Sequence, residues 1–320
     1  MKLVVVALGG NALIREKGKR SPEEQKKNLL DPAKRLAAIV KRGHKLIITH
    51  GNGPQVGDIW DAERKKPNPK PLHECVEQTQ RDIGSHIGYA FRKAMPDIKL
   101  ETIITHVRVD KNDIAFSKPT KGVGKFFQPP IDMNVLSKLE KSGSAIKYVP
   151  ERGYREVVAS PEPEEVLELD NIRKALFEED VVVACGGGGI PLFKDGSPAR
   201  AVVDKDLATE RLATAIGADC LAILTKAGGV ALDYDRRRAE QDYLSRLNLK
   251  DAKKLVGSGY FETGTILPKV RAAVRFAEET GNDAQIGSID GDLGAIFLGK
   301  EGTTIGKGKT VLASGKVPTI

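Results

Sequence analysis

One lysine held between two acids, in Val203-Asp204-Lys205-Asp206-Leu207, stands directly ahead of a helical pattern and downstream of a glycine run, Gly186 to Gly189. A second lysine, Lys269, follows in Thr265-Ile266-Leu267-Pro268-Lys269. Glycine-rich breaks also end two apolar runs nearer the N-terminus: Gly9-Gly10-Asn11 after Leu3 to Leu8, and His50-Gly51-Asn52-Gly53-Pro54 after Lys45 to Thr49. Glycines let backbone approach a ligand and turn N–H groups toward an anion. With the lysines, these are the parts that phosphoryl transfer requires: anion-cradling donors, positive charge at the equatorial oxygens, and alignment of acceptor with leaving group. An acceptor that is already an anion needs no general base. The same residues admit a plainer reading. Acids near a helix N-terminus suit its dipole, and an exposed lysine between them needs no function. On the residues alone the two readings weigh about equally.

Other chemistries lack their signatures. There is no GxxxxGK[ST] loop; Gly302 to Thr310 approaches it but has Thr303 where a glycine is required. Protein-kinase HRD and DFG motifs and a GxSxG elbow are missing. GNGPQV has Val56 in place of the last glycine of a dinucleotide fingerprint. The histidines form no HExxH pair, and His50, at a strand end, reads as structural. Cys75, Cys185 and Cys220 have no CxxC spacing and read as buried small hydrophobes, so no metal ligand set is expected.

The net charge of +8 is spread along the chain and interleaved with acids, and aromatics make up 5% of residues, which argues against nucleic-acid binding. The excess charge suits a solvated surface and a site for anionic substrates. No apolar run approaches the roughly 20 residues of a spanning helix, and the first residues lack a signal-peptide layout, so a soluble, cytoplasmic protein is expected.

The elements that must position these groups read as alternating strands and helices. Leu3 to Leu8 is a strand covered on both faces. A helix over Pro22 to Lys41, a strand over Lys45 to Thr49, a helix from about His73 to Met95 and a strand from Glu101 to Val107 follow. This order predicts a doubly wound, mostly parallel sheet whose ligands sit at the carboxyl ends of strands, where both glycine turns fall. From Asp110 to Pro161 prolines, glycines and short alternating runs predict an insertion with little helix, whose Lys118, Lys121, Lys125, Arg152 and Arg155 read either as a solvated loop or as a lid that brings cations over the site. Alternation resumes with a helix near Pro163 to Phe177, a strand over Val181 to Cys185, a helix over Asp206 to Ala215 and a strand over Cys220 to Thr225. Helices over Leu249 to Val256 and Pro268 to Glu279 and a tail of short strands complete the pattern.

The chain resembles the carbamate kinases of the amino acid kinase superfamily. The resemblance is carried by Ala7 to Ala12, by Thr49 to Gly57 (which contains HGNGPQVG), by Pro119-Thr120-Lys121 and by Arg152-Gly153-Tyr154-Arg155. It continues through Gly186 to Pro191 (GGGGIP), Val203 to Leu207, Leu224-Thr225 and Leu267-Pro268-Lys269, in family order across about residues 1–280. It implies an α/β three-layer αβα sandwich with a mostly parallel central sheet and a protruding subdomain at about 110–160. An acceptor lobe would span 1–165 and a nucleotide lobe 166–320. The implied reaction is reversible, MgATP plus carbamate giving MgADP plus carbamoyl phosphate, in a homodimer that uses ATP/ADP and Mg2+. Gly9, Gly10, Asn11, Gly51, Asn52, Gly53, Gly187 and Gly188 would line the acceptor and transferring phosphate. Lys205 and Lys269 would neutralise developing charge and Asp206 would orient them. Lys121, Arg152 and Arg155 would descend from the protruding subdomain. Thr225, Tyr234, Ile266 and Pro268 would lie near the nucleotide. Arg81 follows Gln80 where the family carries a glycine, which would set a guanidinium toward the small acceptor; this leaves open a related kinase for another small carboxylate or phosphate acceptor, beside a non-catalytic regulator on the same fold.

Overall fold

The computed structural model describes residues 1–10, 13–14, 21–128, 135, 137, 139, 144–232, 241–262, 264–318 and 320. β1 (Leu3–Leu8) is followed by α1 (Pro22–Val40), β2 (Lys45–His50), α2 (Gly53–Glu63), α3 (Leu72–Ala94), β3 (Leu100–Thr102) and β4 (His106–Val109). A short α4 (Ile114–Ser117) leads to β5 (Lys121–Phe127), β6 (Ala145–Val149) and β7 (Gly153–Val158). Next come β8 (Pro163–Val166), α5 (Leu169–Glu178), β9 (Val181–Val183), a 3-10 turn at Gly186–Gly188 and β10 (Ile190–Leu192). The second half holds α6 (Lys205–Ile216), β11 (Cys220–Thr225), β12 (Leu244–Asn248), α7 (Leu249–Gly257) and α8 (Leu267–Thr280). It ends with β13 (Ala284–Ser288), α9 (Leu293–Phe297), β14 (Thr303–Gly306) and β15 (Val311–Leu312).

Among the described residues the strands form a nine-stranded sheet, β15-β12-β14-β13-β11-β1-β2-β9-β3, with a parallel block running from β13 to β3. The continuous apolar run of β1 has its expected cause. Val5 and Ala7 pack on one side with Leu207 and Leu212 of α6 and Val270 and Phe276 of α8. Val4, Val6 and Leu8 pack on the other with Leu29 and Leu36 of α1 and Ile83, Ile87 and Phe91 of α3. Both faces are covered by helices, which makes the sandwich three-layered and leaves no polar position in the strand. Each fully buried Leu or Phe contributes about 1.5–3 kcal/mol. α1 starts where Ser21 accepts a hydrogen bond from Glu24 N at 3.3 Å, with Pro22 in the first turn.

Two sequence expectations change. The strand expected over Glu101 to Val107 is two strands in different sheets. Gln80, buried on α3, donates to Thr105 O and accepts from Thr105 N, each at 2.9 Å, and so satisfies the backbone where the chain leaves the large sheet. β3 stays there beside β9, while β4 joins a second sheet, β10-β4-β8. The helix expected near Pro163 to Phe177 begins as β8, with Pro163 and Val166 buried and Glu164 and Glu165 exposed, and turns helical only at Leu169. Pairing with β4 overrides local preference there.

The insertion forms a separate antiparallel sheet, β5-β7-β6, here termed the lid. Its inner face seats Val123 and Val158 among Val56, Trp60, Cys75, Val76, Ile190 and Val202.

Candidate functional site

Parallel register brings the glycine turns to one edge. Leu8 pairs with both His50 and Leu224, and Ile48 pairs with Val183. Gly9-Gly10, Gly51 to Gly53, the Gly186–Gly188 turn and Thr225 therefore leave adjacent strands at their carboxyl ends, as open α/β sheets arrange ligand sites. The turns also pack on one another. A Cβ on Gly51 would lie 3.2 Å from Gly10 N and 3.8 Å from Lys205 Cδ, so the two N-terminal turns meet at the first lysine. Gly187 (φ +66°) and Gly188 (φ +96°) take a left-handed path that L side chains rarely adopt. A Cβ on Gly187 would collide with Asn52 Nδ2, and one on Gly188 would lie 2.6 Å from Val203 O. The glycine run is thus wedged between the second turn and the segment that leads into Asp204. The amides of Gly51 and Gly188 are spent inside the fold, on Leu8 O and Cys185 O at 3.0 Å each. Those two glycines contribute close approach rather than donors.

Three helices start at this edge. α2 begins after Asn52, which makes no side-chain cap and instead donates through Nδ2 to Thr79 Oγ1 at 2.8 Å. α8 begins after Ile266, also without a side-chain cap. An uncapped start presents the positive end of the helix dipole to an anion. At α8 the Leu267 amide is spent on Glu262 O at 3.3 Å and Pro268 has no N–H, so the dipole rather than a row of donors is what that start offers. α6 is capped: Asp204 accepts from Asp206 N at 2.9 Å through Oδ1.

At the junction of α6 and α8 lies an ionic triad. Lys205 Nζ donates to Asp206 Oδ1 at 2.6 Å, and Lys269 Nζ donates to Asp206 Oδ2 at 2.7 Å. Asp206 is 4% exposed. Burial alone would raise its carboxyl pKa, but the Lys205 and Lys269 ammoniums outweigh burial and hold it far below the usual carboxylate range. Burial lowers the Lys205 ammonium, with Asp206 and Asp204 opposing that shift and Lys269 adding to it. One carboxylate thereby holds two cations side by side, and each ammonium keeps further N–H donors for another oxygen. A third lysine closes on the cap residue: Lys121 Nζ, from the first position of β5, donates to Asp204 Oδ2 at 2.9 Å. Thr209 donates to Lys205 O at 2.6 Å and shares a 2.6 Å hydrogen bond with Thr49 Oγ1, which pins the first turn of α6 to β2.

His50 lies beneath the glycine run. It is 1% exposed, its Nδ1 lies 3.2 Å from Gly51 O, and its Nε2 has no hydrogen-bond partner among the described residues. Burial pushes its pKa down to about 4, opposed by the Gly51 contact and assisted by Lys205, so the ring is neutral at pH 7.

The structure brings together Gly9, Gly10, Gly51, Asn52, Gly187, Gly188, Lys205, Asp206, Lys269 and Lys121 of the residues singled out from sequence. Gly53 opens α2 at the same edge, with open space where a Cβ would stand. Thr225 ends β11, and Ile266 and Pro268 form the start of α8 just ahead of Lys269. Arg152 and Arg155 lie against the Phe126 ring of the lid itself, their carbons 4.2 and 4.9 Å from its centroid. Asn11 and Tyr234 lie outside the described residues. Arg81 does not face the site: it lies on the outer side of α3, 57% exposed, paired with Glu77 at 2.6 Å. The inward position is taken by its neighbour Gln80, because successive helix residues point about 100° apart. Sequence reasoning missed Thr79 as a site residue, and it set Asp204 within the charged motif without its role of capping α6 and meeting Lys121. An aspartate two residues ahead of a helical acid is a readable cap, but Thr79 bonds across 27 positions and left no local mark.

The amino acid kinase family model matches residues 2–288. A carbamate kinase of Pyrococcus horikoshii is 38% identical, the match covering 94% of this chain and 98% of that protein. A carbamate kinase-like protein of Escherichia coli K12 is 37% identical, over 95% of this chain and 99% of that one. Among solved structures, carbamate kinase from Giardia lamblia bound to AMP-PNP superposes with a TM-score of 0.86 at 33% identity, covering 96% and 99% of the two chains.

Proposed function

This chain is a member of the amino acid kinase family, and on that premise we propose that it is a carbamate kinase, catalysing reversible phosphoryl transfer between ATP and carbamate to give ADP and carbamoyl phosphate. The observation that carries the reading is the Lys205–Asp206–Lys269 triad at two helix starts, set against the glycine turns. Near full-length relatives that bear this name support it.

In the proposed mechanism the acceptor sits against Gly9, Gly10, Gly51, Asn52 and Gly53, on the side of residues 1–165. The nucleotide lies against Thr225, Ile266 and Pro268, on the side of residues 166–320. The transferring phosphoryl group lies between them, where its equatorial oxygens meet Lys205 and Lys269. Asp206 keeps both ammoniums in place without reorganisation as charge develops, which is the preorganised electrostatics such a transfer requires. Carbamate is already an anion, so its oxygen attacks without a general base. Lys121 exchanges Asp204 for a phosphate oxygen when substrate arrives. Among the described residues no cluster of His, Cys, Asp or Glu could hold a metal ion, and Asp204 and Asp206 are engaged by lysines. That donor set suits Mg2+ held by nucleotide phosphates and water. Such an ion supplies further charge neutralisation at the phosphates. The position of Arg81, away from the site, removes the sequence-based reason for a different acceptor. A homodimer completes the proposal, to be checked by solution mass.

The test is ATP formation from ADP, carbamoyl phosphate and Mg2+. ATP above background supports the assignment, and its absence, with ADP shown to bind, refutes it. Lys205→Ala lowers kcat far more than it weakens nucleotide binding; equal losses would make Lys205 a binding residue only.

A further inference from the structure

We infer that Glu156, on the lid, is a positioning residue that sets the lid's seat and thereby places Lys121 at the reacting phosphoryl group. This rests on the phosphotransferase reading above.

Glu156 is fully buried, at 0% exposure, although it belongs to a small peripheral sheet. Both of its oxygens are occupied. Oε2 accepts from Trp60 Nε1 at 2.9 Å and from Arg64 at 2.7 Å; Oε1 accepts from Ser144 Oγ at 2.6 Å and from Arg200 at 3.2 Å. These donors come from three parts of the chain. Trp60 lies in the last turn of α2, the helix that opens at the Gly51–Gly53 turn, and Arg64 caps its C-terminus. Ser144 precedes β6 within the lid. Arg200 stands four residues before the Asp204 cap. A single carboxylate therefore joins the lid to the C-terminal end of the helix that starts at the acceptor-side turn, and to the segment carrying Asp204 and Lys205.

The sheet register carries that anchorage to Lys121. β5 and β7 pair antiparallel, with Val123 opposite Glu156 and Lys121 opposite Val158. Residues two apart on a strand share a face, so Glu156 and Val158 both point inward. Around the carboxylate the seat is apolar, with Val123 and Val158 against Val56, Trp60 and Val202. It is also close: a Cβ on Gly57 of α2 would lie 3.0 Å from Gly124 N of β5. Apolar contact of this kind holds the lid down but tolerates small slides, because dispersion is non-directional. Glu156 supplies direction. Charge-assisted hydrogen bonds from planar guanidinium and indole donors fix a carboxylate in angle and distance. Two residue pairs away along the ladder, Lys121 Nζ lies 2.9 Å from Asp204 Oδ2, at the edge of the triad. A slide of the lid would carry Lys121 off that mark.

The experiment is a double-mutant cycle on kcat for ATP formation, with Glu156→Gln, Lys121→Ala and the pair. Glu156→Gln retains size but turns one oxygen into a donor that faces donors. It is expected to lower kcat about 10- to 100-fold, the range for a displacement near 1 Å, with KM for ADP shifted less than about 3-fold. Since Glu156 acts through Lys121, the double variant loses no more than about 3-fold beyond Lys121→Ala alone. Multiplied losses in the double variant would overturn the inference. Amide hydrogen exchange gives a readout independent of turnover. In Glu156→Gln, β5 and β7 exchange at least about 10-fold faster while β1 and β2 hold their protection; unchanged β5 exchange would overturn the inference even if the wild-type chain makes no ATP. Should Glu156→Gln fail to fold, Trp60→Phe removes one donor and keeps an aromatic ring in the seat. It is expected to move kcat and β5 exchange the same way by a smaller factor, and no movement in either would refute the role.

Discussion

Asp206→Asn tests the centre of the proposed site most directly. The substitution keeps the shape of the side chain but removes the charge whose oxygens lie 2.6 Å from Lys205 Nζ and 2.7 Å from Lys269 Nζ. Deleting one partner of a buried ion pair costs about 3–5 kcal/mol, because the charge left behind stays desolvated. Here two ammoniums are left, and one amide oxygen serves them in place of a carboxylate. For 320 residues, an unfolding entropy of about 2.1 cal/mol/K per residue amounts to about 0.7 kcal/mol/K. The expected loss then lowers Tm by about 4–7 °C at pH 7. The pH dependence has a definite sign. Asp206 is held below its unfolded pKa, so its stabilisation is complete above the ordinary carboxylate value near 4 and is lost as pH falls below that. The gap between wild type and variant is therefore full at pH 7 and narrows below about pH 4. Thermal unfolding across pH 3–8, with urea midpoints at constant m-value as a second measure, reads both effects. A Tm loss under about 1 °C at pH 7, or a gap of the same size at pH 3, would refute the claim that one carboxylate holds two buried cations.

Two further outcomes follow from the same geometry. Arg81→Ala, on the outer side of α3, leaves the acceptor KM within about 2-fold, as surface substitutions ordinarily do; a change above about 10-fold in steady-state kinetics would put the guanidinium back at the acceptor. His50 is held near pKa 4, below its unfolded 6.5, so its neutral form favours the fold. That contribution is present above pH 6.5 and is lost as pH falls toward 4, by about 3 kcal/mol in all. His50→Gln flattens the fall in stability between pH 7 and 4, and parallel wild-type and variant curves would show that the ring is not held neutral.

What the sequence determined here is local and periodic. An unbroken apolar run at Leu3 to Leu8 requires helices on both faces, and the structure supplies them. Glycine breaks at Gly9, Gly51 and Gly186 fall at strand exits, so a parallel sheet must gather them at one edge. Asp204 ahead of Asp206 is a helix cap readable from spacing, and the motif that joins it to Lys205 was enough to suggest the chemistry. Tertiary structure decided what depends on partners far along the chain. Arg81 points outward because its predecessor on α3 is needed to close the backbone at Thr105, 25 positions away. Residues 163–166 are extended because β4 offers an edge, although their own sequence also suits the start of a helix. Glu156 reads as an ordinary lid residue until Trp60, Arg64 and Arg200 close on it from other elements. The Lys205–Asp206 contact lies within one turn and was legible. The Lys269–Asp206 contact spans 63 positions and exists only because α6 and α8 pack side by side, so that burial brings three charges together that no spacing along the chain could join.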